Sequence, residues 1–317
     1  MFQKAIASKY FPGVVTLLIA LLFSLATYQD YGLTWDEPIQ RTIGMVSYDY
    51  IFNNDPKLTS YIERDHGVGF ELVLLGVEKL VGASDFRDIF LARHLASNIF
   101  YLLACFTGYL LALRLFKNKW MALVAFALLL LHPRLYAHSF FNSKDTPLAA
   151  TYIIALFFAE KSFRTYKKHA FGLLGLACGY ATSIRILGIF LIVCILGFLF
   201  FDLLFNRSKY PTKTILSNGF LFLLGAFMGV YIFWPTLWAS PFANFIESYK
   251  SLSHFRWDGD LLLFGTFYKS TALPWFYLPS WFAITTPILW LLFGSIGLIL
   301  VLVAFISNPI QYLKDSY

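Results

Sequence analysis

Charged side chains are scarce in this sequence of 317 residues. Asp, Glu, Lys and Arg together make up 14% of it, against 58% hydrophobic and 20% aromatic residues. A soluble domain carries roughly 25% charged residues, because its surface must face water. The scarcity therefore excludes an ordinary soluble globular protein and indicates a protein that faces lipid.

Cysteine is also scarce, and several common catalytic motifs are missing. The three cysteines, Cys105, Cys178 and Cys194, all lie inside apolar runs, which is typical of small core residues. Their spacing excludes a disulfide framework and a cysteine metal site. The sequence also has no phosphate-cradling glycine loop, no nucleophile elbow and no zinc-binding helix motif.

Long apolar runs dominate what is present. A helix needs about 20 apolar residues to cross a hydrocarbon core of about 30 Å, and lipid leaves the backbone no other hydrogen-bond partners. The runs show no strand-like alternation. We therefore predict an all-α polytopic membrane protein with about eight transmembrane helices, over residues 11–28, 94–116, 120–138, 146–163, 170–184, 187–205, 214–235 and 281–305.

The net charge of +7 is unevenly distributed along the chain. With the N-terminus inside the cell, the inner segments hold 13 basic and 3 acidic residues, a net charge of +10, and the outer segments carry −3. Lys and Arg accumulate in the cytoplasmic loops of membrane proteins. The distribution predicts that both termini are cytoplasmic, and it explains the basic excess without a nucleic-acid partner.

Two outer connections are long, residues 29–93 and 235–280, and the whole chain reads as one domain, 1–317. The first loop is predicted to be helical after Pro38, with Ile39, Ile43, Val46 and Tyr50 on one face. The apolar stretch 68–81 is interrupted by acidic residues, which favours a helix lying in the membrane interface over a span.

The first candidate site is the segment Thr34 to Pro38, just outside the first span. Asp36 and Glu37 are adjacent carboxylates that repel each other unless donors or cations offset them. The start of the following helix favours their ionised form. Two interpretations fit: a functional carboxylate pair, or an ordinary helix cap.

The second candidate is the polar run His132 to Asp145, between the third and fourth spans. It contains His138, Lys144 and Asp145. Polar, non-helical backbone near the membrane is tolerated where protein or a wet cavity covers it, so the run is either a cavity wall or a solvated turn. A metal site from His132, His138 and Asp145 is not indicated, because the histidine spacing and Pro133 keep them off one helix face.

Arg185 is the third candidate. The apolar stretch 170–205 is too long for one span and must fold into two, which places Arg185 near the outer apex. Its guanidinium either reaches the interface along its own stem or recognises a phosphate, for which its planar fork is well shaped.

The fourth candidate is the second outer loop, which contains His254 and Trp257 among several other aromatic rings. Aromatic rings beside polar groups suit sugar binding, and they equally suit a membrane interface. Composition does not choose between the two.

Three of these segments together resemble one known family. The Asp36-Glu37 pair outside the first helix, the run His132 to Pro147 and the run Leu273 to Pro279 look like the lipid-carrier-dependent glycosyltransferases of the membrane-embedded type C fold. The similarity is greatest to their family 39 branch, bacterial relatives of protein O-mannosyltransferases and of lipid A aminoarabinose transferases. It covers nearly the whole chain.

The resemblance implies a hexosyl- or pentosyltransferase of a bacterial inner membrane, acting on the outer face. Its donor would be a polyprenyl-phosphate sugar, and its acceptor hydroxyl would belong to a glycan, lipid or protein. By family role, Asp36 matches the base, Asp145 the second acidic residue and Arg185 the phosphate contact. Glu37, His138, Lys144, His254 and Trp257 complete the expected substrate site. No metal or other cofactor is expected to be required.

Two other classes remain open, and one departure from the family is visible. A transporter or flippase would place charges along a path through the spans, whose middles are nearly free of charge here, and a scaffold subunit would need none of the candidate residues. Relatives usually continue into further helices, whereas this chain stops soon after its eighth predicted span, which leaves acceptor recognition open.

Overall fold

A computed structural model describes residues 8–254, 257–309 and 311–312. Lys4, Lys314 and Asp315, which enter the predicted inner charge, lie outside them. The described residues form thirteen α-helices, in order α1 (Phe11–Thr27), α2 (Glu37–Phe52), α3 (Gly69–Val81), α4 (Phe86–Phe116), α5 (Lys119–Leu130), α6 (Pro133–Phe141), α7 (Asp145–Thr165), α8 (Lys168–Ile184), α9 (Ile189–Phe205), α10 (Thr212–Phe233), α11 (Pro241–Ser253), α12 (Tyr277–Thr285) and α13 (Ile288–Ser307).

The polytopic all-α fold is confirmed. By length and hydropathy, fewer of the described helices qualify as spans than the eight that the sequence predicts. Among the described residues, five helical segments are long and apolar enough to cross a membrane, and the bent pair α5–α6 makes a sixth if it counts as one span. Helices α7 and α8 cover the predicted spans 146–163 and 170–184, but neither of them is both long and apolar enough to count as a span. The protein is integral to a membrane.

The third predicted span, 120–138, is wrong as a single straight helix. The helix stops at Leu130, and α6 restarts at Pro133 with a bend of 60° between the two axes. Proline forces the preceding His132 into an extended conformation and removes a backbone N–H, so one straight helix cannot continue. The polar run 132–145, expected to be non-helical, is therefore mostly helix.

Helices α8 and α10 cross at unusually close range. Gly175 and Gly179 on α8 face Gly225 and Gly229 on α10, and a methyl group added at Gly175 would lie 2.0 Å from the Phe222 carbonyl oxygen. Both pairs are spaced as G-x-x-x-G, which lets two membrane helices approach backbone to backbone. This crossing fixes the end of α8, and with it the connection that carries Arg185.

The predicted split of the stretch 170–205 is confirmed at that connection. Helix α8 ends at Ile184, a short 3-10 turn covers Ile186–Gly188, and α9 begins at Ile189. Arg185 is the extended residue between them, with φ −145° and ψ 140°.

Both helices predicted in the first outer loop are present, as α2 and α3. On α2, Ile43 and Val46 are buried, whereas Ile39, one turn before Ile43 on the predicted apolar face, is 43% exposed. On α3, the two glutamates that interrupt the apolar sequence, Glu71 and Glu78, are only 2% and 4% exposed. They face the protein interior.

The chain divides into two compact units, Met1–Lys250 and Ser251–Tyr317, and the single domain 1–317 stays a prediction. The second unit contains an unpredicted antiparallel hairpin, β1 (Asp260–Leu263) and β2 (Thr266–Lys269). Phe264 and Gly265 at its turn both have positive φ, as a two-residue type I′ turn requires. An ion pair between Asp260 and Lys269, 2.9 Å long, joins the ends of the strands.

Candidate active site

Asp36 and Glu37 differ sharply in environment although they are adjacent. Glu37 is 3% exposed, and its Oε1 lies 2.7 Å from His94 Nε2 on α4, while Oε2 accepts from Thr34 N at 2.7 Å and Thr34 Oγ1 at 2.9 Å. Asp36 is exposed, and its side chain caps no backbone N–H of α2. Its carboxylate makes no hydrogen bond or ion pair with any described residue, so Glu37 anchors the turn and Asp36 presents a carboxylate to solvent.

Asp145 and Arg185 lie together, although 39 intervening residues separate them in sequence. Arg185 Nη1 is 2.5 Å from Asp145 Oδ1, and the two side chains are 41% and 56% exposed. The pair joins the start of α7 to the connection after α8. The pair therefore brings a guanidinium and a carboxylate together at the partly exposed surface of the first unit.

Asn142, which sequence reasoning missed, organises the start of α7. Its Oδ1 accepts from the backbone N–H groups of Asp145 at 2.7 Å and of Lys144 at 3.1 Å. Its amide Nδ2 lies 3.2 Å from Asp145 Oδ2 and 3.3 Å from His138 Nδ1. An Asn three residues before a helix is a capping signal readable from sequence, and here it also ties His138 to Asp145.

Lys144 is a buried titratable group whose pKa is strongly perturbed. Its side chain is 8% exposed, and burial lowers its pKa from the usual 10.5 to about 8. The carboxylates of Glu71, Glu63 and Asp36 act in the opposite direction, and the Arg185 guanidinium adds to the lowering. Because the interaction of each group depends on proximity, Lys144 lies within the electrostatic reach of both Asp36 and Arg185.

Below Lys144 lies a buried network of charges that the sequence interpretation did not identify. Arg93 on α4 is 2% exposed, and it donates to Glu78 Oε1 at 2.7 Å and to Glu71. Arg41 Nε donates to the second oxygen of Glu78 at 3.0 Å, and Ser143 Oγ donates to Glu71. The network thus links α2, α3 and α4 to the residue that precedes Lys144.

A sequence signal for this network existed in α3. Glu71 and Glu78 are seven residues apart, two helical turns, so they share one face. The buried Leu74 and Leu75 lie between them on that same face. Acidic residues in register with the apolar stripe of a helix indicate buried charges that need basic partners.

An apolar groove runs beside this region in the first unit. It has a volume of about 760 Å³ and lies between α3 and α4, with walls that include Phe70, Leu74, Ile99, Phe100 and Leu103. Asp88 and Gln29 contribute polar groups to its lining. Its volume and its largely apolar lining suit a hydrocarbon chain.

His254 and Trp257 belong to the second unit. His254 is exposed, with its Nδ1 3.1 Å from Ser253 Oγ, and Trp257 is 51% exposed. Their sugar-binding role stays a prediction. In the described part of the chain, no three His, Cys, Asp or Glu side chains are arranged to hold a metal ion, and the expectation that none is required also stays untested.

Comparison with known proteins gives one match. A family model described as dolichyl-phosphate-mannose-protein mannosyltransferase matches residues 65–238, more than half of the chain. The matched range includes α3 to α10 and with them Glu71, Arg93, Lys144, Asp145 and Arg185. No curated protein and no solved structure matches the chain.

Proposed function

The chain belongs to the dolichyl-phosphate-mannose-protein mannosyltransferase family, and on this premise we propose that it transfers a sugar from a polyprenyl-phosphate donor to an acceptor hydroxyl on the non-cytoplasmic face of the membrane. Glycosyl transfer from a lipid-linked donor follows from the family. The face, the acceptor and the residue roles are our proposal. The uneven distribution of Lys and Arg supports the sidedness, with both termini in the cytoplasm.

The observation that carries the residue roles is the environment of Lys144. Lys144 is buried between Ser143, which donates to Glu71, and Asp145, which pairs with Arg185, and the Asp36 carboxylate is near enough to act on its pKa. This supports a single site in which a solvent-facing carboxylate stands near two cationic groups. A transferase that releases a phosphate needs this combination, with a base for the attacking hydroxyl and positive charge for the leaving group.

In the proposed reaction the acceptor oxygen attacks the anomeric carbon while its proton passes to the Asp36 carboxylate. The bond between that carbon and the phosphate oxygen breaks, and polyprenyl phosphate leaves with one more negative charge than the diester carried. Lys144 and Arg185 stabilise that charge. Attack opposite the leaving phosphate inverts the anomeric centre. The groove between α3 and α4 is our proposed place for the lipid tail.

Glu37 is proposed as a positioning residue rather than a direct substrate contact. One of its carboxylate oxygens already lies at hydrogen-bond distance from His94, and the other accepts two hydrogen bonds from Thr34. By holding the turn at Thr34 it fixes the backbone of Asp36. Asp145 has a similar positioning role, because its carboxylate pairs with the Arg185 guanidinium at 2.5 Å. His138 is linked to Asp145 through the side-chain amide of Asn142.

The proposal is tested with the purified chain in proteoliposomes, radiolabelled dolichyl-phosphate mannose and a peptide that contains serine and threonine. We expect release of dolichyl phosphate that depends on the peptide. Movement of intact donor between leaflets without cleavage would favour the flippase alternative. Intact donor after incubation with a panel of polyprenyl-phosphate hexoses and pentoses and with varied acceptors would contradict the transferase.

Arg185→Ala should weaken donor binding about ten- to a hundredfold, because a hydrogen bond to a charged group contributes about 1.5–3 kcal/mol. Donor binding to the detergent-solubilised protein measures this. Arg87→Ala is a matched control, since Arg87 is an exposed basic residue at the start of α4. Equal loss in both variants, or no loss with Arg185→Ala, would remove Arg185 from the phosphate site.

The pH dependence of donor use should report the protonation of Lys144. With its pKa lowered to about 8, the ammonium is charged below that pH and neutral above it. We therefore expect kcat/KM for the donor to fall as the pH rises through about 8. Lys144→Arg should move the fall to higher pH, because a guanidinium keeps its proton beyond pH 12. A flat profile, or one that this substitution leaves unchanged, would contradict the role.

A further inference from the structure

A second cavity, lined mainly by charged side chains, lies at the other end of the first unit. It has a volume of about 690 Å³. The residues that line it lie at or beside the ends of four helices, namely α1, α4, α5 and α7. Five basic residues and one carboxylate carry its charge, namely Lys9, Arg114, Lys117, Lys119, Arg164 and Glu160. Glu160 is the only acidic residue among its described lining residues, so the cavity has a formal charge of +4.

Helix geometry places this cavity a membrane thickness away from the candidate active site. Helix α7 carries Asp145 at its first residue and Arg164 near its end, 19 residues later, a rise of about 28 Å. On α4, Arg93 and Arg114 are 21 residues apart, a rise of about 31 Å. A hydrocarbon core is about 30 Å thick. The two charged regions are therefore as far apart as the two interfaces of a membrane.

The cationic groups of the cavity are partly fixed in place. Glu160 Oε2 accepts from Arg114 Nη1 at 2.9 Å, and Oε1 accepts from Arg164 Nε at 2.7 Å. The Arg114 guanidinium also lies 4.0 Å above the ring of Phe157. A guanidinium held in this way is pre-organised for a phosphate, in contrast to the mobile lysines of an ordinary basic loop.

We propose that this cavity binds the phosphate headgroup of an anionic phospholipid, at a site separate from the donor site. Leu110 and Leu113 line the same cavity as the charged groups. A lipid supplies both the phosphate and the acyl chain that this combination fits, and a soluble anion would leave the apolar wall unused. Basic pockets between membrane helices commonly hold such headgroups.

The test titrates the detergent-purified full chain with phosphatidylglycerol or with phosphatidylcholine of the same acyl chains, and measures bound lipid by native mass spectrometry. We expect wild type to retain phosphatidylglycerol preferentially. The double variant Lys117→Asn with Lys119→Gln should bind it about twenty-fivefold more weakly, about fivefold per charge. Asn suits position 117, where φ is +52°.

The matched control is Lys209→Gln with Lys213→Gln, which removes the same charge from two exposed residues, one before α10 and one in its first turn. These residues do not line the cavity, so this variant should bind as wild type does. Equal weakening in both double variants would reduce the effect to diffuse attraction and overturn the site. Competition by glycerol phosphate as strong as that by lipid would assign the cavity to a soluble anion instead. If the double variant does not fold, Lys119→Gln alone should give the fivefold loss, and wild-type affinity in that variant would overturn the proposal.

Discussion

Asp36→Asn should slow sugar transfer at least about a hundredfold while leaving the protein folded and able to bind donor lipid. The amide keeps the shape of the side chain but cannot accept the proton of the attacking hydroxyl. General-base catalysis contributes typically about 10²–10⁴ in rate. The exposed carboxylate has no partner among the described residues that the substitution would disturb, so folding should be unaffected.

The measurement is transfer from purified donor lipid by equal amounts of folded wild type and variant. Asp30→Asn is the matched control, because Asp30 is an exposed carboxylate of the same outer segment. The kinetic signature is a fall in kcat and kcat/KM together with unchanged donor affinity. Near-normal turnover by Asp36→Asn would rule out the base assignment.

Glu37→Gln separates catalysis from positioning. A glutamine still accepts from Thr34 but loses the contact between the carboxylate and the His94 ring, so we expect lowered stability together with a smaller loss of rate. Equal loss of kcat in Asp36→Asn and Glu37→Gln, at normal stability, would indicate a shared carboxylate pair.

Arg93→Met should be the most destabilising of these substitutions, by about 3–5 kcal/mol. It removes the cation of a buried ion network, so Glu71 loses its ion-pair partner and Glu78 keeps only Arg41. Methionine keeps most of the side-chain volume, so lost packing contributes little. Because Ser143 donates to Glu71, the loss should also displace the start of α7 and reduce donor use.

Thermal unfolding of the detergent-purified variants measures this effect. The control is Glu247→Gln, which breaks an exposed pair with Arg64, where the glutamate side chain is 57% exposed. Such surface pairs contribute up to about 1 kcal/mol. Adding Glu71→Gln to Arg93→Met should cost less than the sum of the single changes, since the second removes an uncompensated charge. Additive effects, or a normal unfolding temperature for Arg93→Met, would show that the network is not a structural unit.

The sequence determined the class of protein and the location of most helices. Scarce charge and long apolar runs specify membrane helices directly, because the requirement for internal backbone hydrogen bonds acts on each segment separately. The same local reasoning identified the break before Arg185 and the helix that begins beside Pro38. It also selected Asp36, Lys144, Asp145 and Arg185, since polar residues stand out against an apolar background.

Tertiary structure decided which of those residues meet and which carboxylates are available. The ion pair of Asp145 with Arg185 joins two connections that lie far apart in sequence, and it depends on how α7 and α8 pack. The difference between exposed Asp36 and buried Glu37 depends on His94, brought to it by α4. The Arg93 network needs α2, α3 and α4 together, and no single segment specifies it. Burial and charge pairing are properties of assembled helices, because they depend on distances between segments that local sequence pattern does not fix.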